Sequence, residues 1–230
     1  MTAGVREALT WPSPSLPGQP RLTGFAHGAA GIGQALLATA PGNRRFRADA
    51  EEAFGYERGL CNADARNWPD LRENATPGTP LDGGPSYTLR WCHGVPGIAL
   101  SRLGTAELLG DPQIRSKAIT ALETTRDAAS AELHTGNYSL CHGLAGNAEI
   151  LIEGKALLGG ECETLAHIIA LAGIETYSRP GRSWPTGVPG GHTASLFLGL
   201  AGTAGFYLRL NNPAVPSVLL MRPGQFAAGP

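Results

Sequence analysis

The chain has 230 residues, of which 42% are hydrophobic and 16% charged, with a formal net charge of −1. That length buries a sizeable core, and a near-neutral charge with no basic run interleaved with aromatics excludes nucleic acid and anionic membrane surfaces as electrostatic partners. No apolar run can span a bilayer, the first residues lack a signal-peptide pattern, and the four cysteines are too few for a disulfide scaffold, so no transmembrane segment and a cytoplasmic, reducing location are expected.

Residues 1–21, with Pro12, Pro14, Pro17 and Pro20, read as a loose lead-in. A helix is predicted to start near Gly28 and run to Thr39. Asn43 can cap the next one, in which Phe46, Ala50, Ala53 and Phe54 fall at helical spacing. From Asn67 to Thr88 runs a long polar loop rich in Pro and Gly. A helix from Val95 to Leu109 follows, and then Gly110-Asp111-Pro112, with Asp111 as N-cap and Pro112 at the first helical position. Ile114, Ala118, Ala121 and Leu122 give this helix its apolar face. Another helix is expected to reach Leu158, and the helix from Glu161 to Tyr177 would bury Leu165, Ile168, Ile169 and Ala172. A Gly/Pro-rich loop spans Ser178 to Thr193, and the last helix ends near Asn211-Asn212-Pro213. Residues 223–230 read as a flexible tail. No segment alternates like a strand, so the chain is predicted to be all-α, a series of helical hairpins.

One device recurs four times. WCHGVPGIALSRL holds Cys92 and His93, and LCHGLAGNAEILI holds Cys141 and His142. The same frame without cysteine appears as AHGAAGIGQALL, holding His27, and as LGLAGTAGFYLRL from Leu198. Each copy pairs two glycines three apart, then continues into an apolar helical run. These glycines predict close packing at helix starts where a Cβ would clash. The cysteines of the two loaded copies lie forty-nine residues apart, a period that accommodates two helices and two turns. Cysteine and histidine are ligands that zinc prefers.

The motifs AHG, WCHGVPGI, CHGLAG and GLAGTAG, in that order, resemble the lanthionine synthetase C-like family. NWPDLR and LRLNNPAVPSVLL are most similar to the cyclase region of class II lanthipeptide synthetases, the LanM type. The resemblance implies an α/α barrel (toroid) of helical hairpins over residues 22–222, with one Zn2+ per chain at one end. It matches the zinc ligands to Cys92, Cys141 and His142, and a proton-transfer histidine to His27. His93 stands where many stand-alone cyclases carry Tyr. Their Arg, four residues before the first cysteine, falls on Thr88 here, and Arg90 lies two before. The resemblance also implies an incomplete barrel, its C-terminal part, whose partners would be a dehydrated lanthipeptide precursor and either a dehydratase domain or the missing N-terminal half.

The chemistry implied is addition of a peptide cysteine to dehydroalanine or dehydrobutyrine. Zinc bound by three protein ligands keeps a position open for a substrate thiolate. The enolate formed must be protonated at carbon, a task for His27, with His93 assisting. Asp70 and Arg72 in NWPDLR either line the cleft or serve as a helix cap or in a loop salt bridge. Cys61 and Cys162 read as core thiols, and His134, His167 and His192 as structural. Two functional readings stay open: a zinc-dependent cyclase forming lanthionine or methyllanthionine, and a non-catalytic module that binds zinc and a thiol peptide or glutathione. A glycosidase would need paired carboxylates around a cleft, and Glu149 and Asp82 stand isolated in sequence.

Overall fold

The structure is a computed structural model that describes residues 10–12, 20–72, 85–220 and 222. Most of the lead-in, the tail and Asp82 lie outside the described residues. Among the described residues seven helices follow one another: α1 (Ala29–Thr39), α2 (Arg44–Gly59), α3 (Val95–Leu109), α4 (Pro112–Ala131), α5 (Leu144–Leu158), α6 (Gly160–Tyr177) and α7 (Leu200–Asn211). Among the described residues there is no strand, only the isolated bridges Asn62–Asn67 and Leu89–Gly94. Sequence signals locate the starts well. Asn43 Oδ1 accepts from the Arg45 and Phe46 amides at 2.9 and 3.2 Å, and Asp111 Oδ1 accepts from Gln113 N at 2.8 Å, each satisfying donors that have no intrahelical partner.

The odd-numbered helices form an inner row, α1 against α3, α3 against α5 and α5 against α7. The even-numbered helices pack outside them. This is the α/α hairpin arrangement expected from the sequence. Among the described residues α1 and α7 do not touch, so the row is an open arc. The central helices α3 and α5 are buried almost all round over their first ten residues. At the end of the row, α7 buries only Gly202, Thr203 and Phe206. Leu171 of α6 and Leu208 of α7 are 59% and 54% exposed.

The four inner helices share one start. None has a side-chain cap on its preceding glycine. Instead the preceding loop folds back. Ala29 N donates to Leu22 O, Leu144 N to Asn137 O and Leu200 N to Thr193 O, at 2.7–2.9 Å, each time to the carbonyl seven residues earlier. The second glycine of each motif admits this wrap. A Cβ on Gly31, Gly97, Gly146 or Gly202 would lie 1.8–2.0 Å from the carbonyl oxygen of Phe25, Trp91, Leu140 or Leu196. Gly94 adds a backbone reason, since its φ of +95° disfavours any side chain.

In α3 the pattern has an insertion. Asn67 Nδ2 donates to Thr88 O at 3.0 Å, and Asn67 Oδ1 accepts from Val95 N at 2.8 Å. The buried amide therefore bridges the carbonyl and the amide that would otherwise meet directly.

One expectation about packing is corrected. In α6 the buried residues are Cys162, Ala166, Ile169, Ala170 and Gly173, whereas Ile168 is 44% exposed. The inward face is rotated toward small residues, because Tyr138 and Tyr207 lie so close that a Cβ on Gly173 would meet either ring system at 2.7 Å.

Candidate metal centre

The inner-helix loops gather at one end of the arc and are joined in series. Cys92 N donates to Cys141 O at 3.3 Å, and Cys141 N donates to Phe197 O at 2.9 Å. These three residues hold the same place in consecutive repeats, two before the helix-start glycine. The Trp91 ring stacks on Phe197 at 5.2 Å and tilts against Phe25 at 5.7 Å, an aromatic layer beneath the loops.

This register brings Cys92, Cys141 and His142 together, with one donor atom from each within 4.8 Å of the others. Cys92 is buried and the other two half-buried. Cys141 and His142 precede α5, so the helical 100° offset between neighbours does not separate them. Two thiols and an imidazole at this spacing suit zinc, whose sulfur and nitrogen bonds run about 2.0–2.3 Å. His142 Nε2 lies 2.9 Å from Gly187 O. A carbonyl only accepts, so Nε2 carries the proton and Nδ1 is left to ligate.

The electrostatics agree with a site built for positive charge. Hydrogen bonding from the Cys141 thiol, helped by His142 and opposed by burial, brings Cys92 down to about 4. Its partner Cys141 is pushed up, first by that shared hydrogen bond and then by burial. The hydrogen bond with Cys92 raises His142. The two thiols thus shift in opposite directions through the hydrogen bond they share, and a divalent cation would favour ionisation of both.

Beside the sulfurs lies a cavity of about 510 Å³ lined by Arg72, Tyr87, Arg90, Cys92, His93 and His142, among others. His93 is 5% exposed, and burial, then Arg72, lower its pKa, which favours the neutral ring. The His27 ring stacks on it, with centroids 5.2 Å apart and planes 18° apart. His27 is exposed and stands outside the three-donor cluster.

Arg72 donates to Asp70 through both Nε, at 2.9 Å, and Nη2, and the Asp70 side chain is fully buried. Burial pushes the Asp70 carboxyl up, but hydrogen bonds from Arg72 outweigh it and the net shift is downward. Asp70 and Arg72 thus form a salt bridge within the loop, and Arg72, not Asp70, is among the residues lining the cavity. Arg90 lines the same cavity with its Nη1 held by Glu132 at 2.6 Å.

Two residues essential to this geometry carry no sequence signal of their own. Gly187 acts through a backbone carbonyl, and Asn67 acts on an amide twenty-eight positions away. Cys162 is buried as expected. Cys61 is not a core thiol. It lies exposed just past α2, on a second cavity of about 460 Å³ that holds none of the metal-cluster residues. Glu149 is no free carboxylate, being ion-paired with Arg209.

Residues 5–220 match the family described as lanthionine synthetase C-like protein, and the chain belongs to that family. Among individual proteins, it is 29% identical over 139 residues to the lacticin 481/lactococcin biosynthesis protein LcnDR2 of Lactococcus lactis subsp. lactis, covering 56% of this chain and 14% of that protein. The fold is similar to that of a solved nisin cyclase, with a TM-score of 0.62 and 19% identity over 84% of this chain and 47% of that one. The chain therefore spans less than half the length of either relative.

Proposed function

We propose that this chain is the zinc-binding cyclase unit, over residues 22–222, of a cytoplasmic lanthionine synthetase. It would close thioether rings in a dehydrated lanthipeptide precursor supplied by a dehydratase, on the same polypeptide or another. The observation that carries this reading is the convergence of Cys92, Cys141 and His142 in a member of this family. These three residues would hold one zinc ion, and when bound it would supply the positive charge that keeps a substrate sulfur ionised at neutral pH.

The remaining steps belong to the chain. The cavity beside Cys92 receives the peptide segment that bears the dehydro residue. Gly187 O fixes the tautomer and orientation of His142. The enolate that follows sulfur attack needs a proton at carbon, and the stacked His27–His93 pair offers an exposed ring for exchange with solvent and a buried neutral ring facing the cavity.

The test is metal content and ring closure measured on the same preparations. Wild-type chain should hold one zinc, Cys92→Ala and Cys141→Ala none, and His27→Ala a full complement with slower cyclisation. Stoichiometric zinc in Cys141→Ala, or none in wild type purified under reducing conditions, would remove the site. Zinc without ring closure in wild type would favour a binding module.

A further inference from the structure

The cavity beside the metal cluster is lined by two arginines, and only Arg72 is held at two nitrogens by a buried carboxylate. Arg90 Nη1 is taken by Glu132 at 2.6 Å and by Leu89 O at 3.2 Å. Arg72 gives Nε and Nη2 to Asp70, and its Nη1 has no partner among the described residues. Asp70 is itself fixed. Its side chain has no exposure, its amide donates to Ser86 O at 2.8 Å, and its Oδ1 also accepts from Arg72 N at 3.2 Å. A buried carboxylate thus holds in one orientation a guanidinium that lines the cavity shared with Cys92, His93 and His142.

We propose that Arg72 is the catalytic anion-binding residue of this site, donating from Nη1 to the carbonyl oxygen of the dehydro residue, and that Asp70 is its positioning residue. The inference rests on the cyclase reading above. In the step it serves, the substrate sulfur gives its electron pair to the β-carbon and an S–C bond forms. The Cα=Cβ π pair moves onto the enolate, whose charge rests on the carbonyl oxygen. One proton then reaches Cα, replacing the proton lost by the thiol, so the addition is balanced without any oxidant or reductant. A donor aimed at the oxygen where charge develops stabilises the transition state more than the ground state. Arginine suits this better than lysine, because its planar fork holds a carboxylate with one edge and presents another.

The experiment compares wild type with Arg72→Ala, Arg72→Lys and Asp70→Asn on a dehydrated precursor. It reads zinc per chain, the Kd for a precursor whose ring cysteines are changed to serine, kcat for cyclisation, and rescue by millimolar methylguanidinium. Arg72→Ala should keep its zinc and bind the serine peptide within about threefold of wild type, while kcat falls about 100-fold or more. Methylguanidinium should restore part of that loss, and a merely structural role would show no rescue. Arg72→Lys should recover little, and Asp70→Asn should lose about tenfold in kcat, because the charge is kept while its aim is relaxed. A kcat for Arg72→Ala within about threefold of wild type would overturn the proposal, as would loss of zinc in that variant or failure of rescue. If wild type itself neither holds zinc nor cyclises, the cyclase reading falls and this inference with it. If wild type cyclises and Arg72→Ala keeps pace, only the role of Arg72 falls.

Discussion

Replacing Gly146 by alanine tests how the site is built. The new Cβ would lie 2.0 Å from the carbonyl oxygen of Leu140 and 2.8 Å from its carbonyl carbon. Reaching an ordinary contact requires an opening of about 1 Å or more. The obstacle is backbone, so no rotamer change relieves it. Leu140 directly precedes Cys141, and the loop it belongs to donates to Phe197 O and accepts from Cys92 N. Whichever way the loop moves, Cys141 and His142 shift relative to Cys92. Overpacking of this kind costs about 1–3 kcal/mol, and backbone obstruction places the estimate near the upper end. Displaced donors should also weaken zinc by about tenfold or more, as loss of outer-shell support does.

Urea unfolding of the metal-free proteins would give the first number and competition with a chelator the second. Gly205→Ala is the control. It lies in α7 with nothing within 4 Å of the added Cβ, and should stabilise by about 0.5–1 kcal/mol through helix propensity. A Gly146→Ala protein within about 0.5 kcal/mol of wild type, holding zinc as tightly, would refute the reasoning.

Asn67→Ala should cost about 2 kcal/mol in chemical unfolding, because it leaves Val95 N and Thr88 O buried without their bridge. Glu57 and Arg102 form a buried ion pair between α2 and α3, with side chains 0% and 4% exposed. Arg102→Met alone should cost about 3–5 kcal/mol, whereas the double variant Glu57→Gln/Arg102→Met should recover most of that in the same assay.

Helix starts were readable because their signals are local. Asn43, Asp111 with Pro112, and the repeated glycine pairs each act within a few residues of where they stand. The glycine pairs also announced close packing, although not its form, a loop carbonyl resting on the second glycine of each motif. The face of α6 was misread for a physical reason. Hydrophobic periodicity weights large side chains, and there it favoured Ile168, which is 44% exposed, beside Ile169, which is buried. The helix packs through Ile169 together with the small residues Cys162, Ala166, Ala170 and Gly173, since aromatic neighbours from elsewhere in the chain fill the space. A small-residue face looks weak in sequence and is strong only when a bulky partner is present. Cys61 was misread because it follows an amphipathic helix by two residues, past the point where that pattern governs burial.

For the candidate site, residue type marked Cys92, Cys141 and His142, and the structure brings these three together. The groups that orient the triad were invisible, because a carbonyl on Gly187 or an amide bridge from Asn67 exists only in three dimensions. The repeat itself explains why the triad forms. Equivalent loop positions are linked amide to carbonyl from one repeat to the next, Cys92 to Cys141 and Cys141 to Phe197. Two cysteines at that position in consecutive repeats are therefore neighbours by construction, with no long-range adjustment of the helices needed to bring them together. The third position holds Phe197, which stacks on Trp91 and offers no donor atom. The fold supplies one place per repeat, and the residue type in each place decides whether it offers a soft donor atom, as at Cys92 and Cys141, or an aromatic face, as at Phe197.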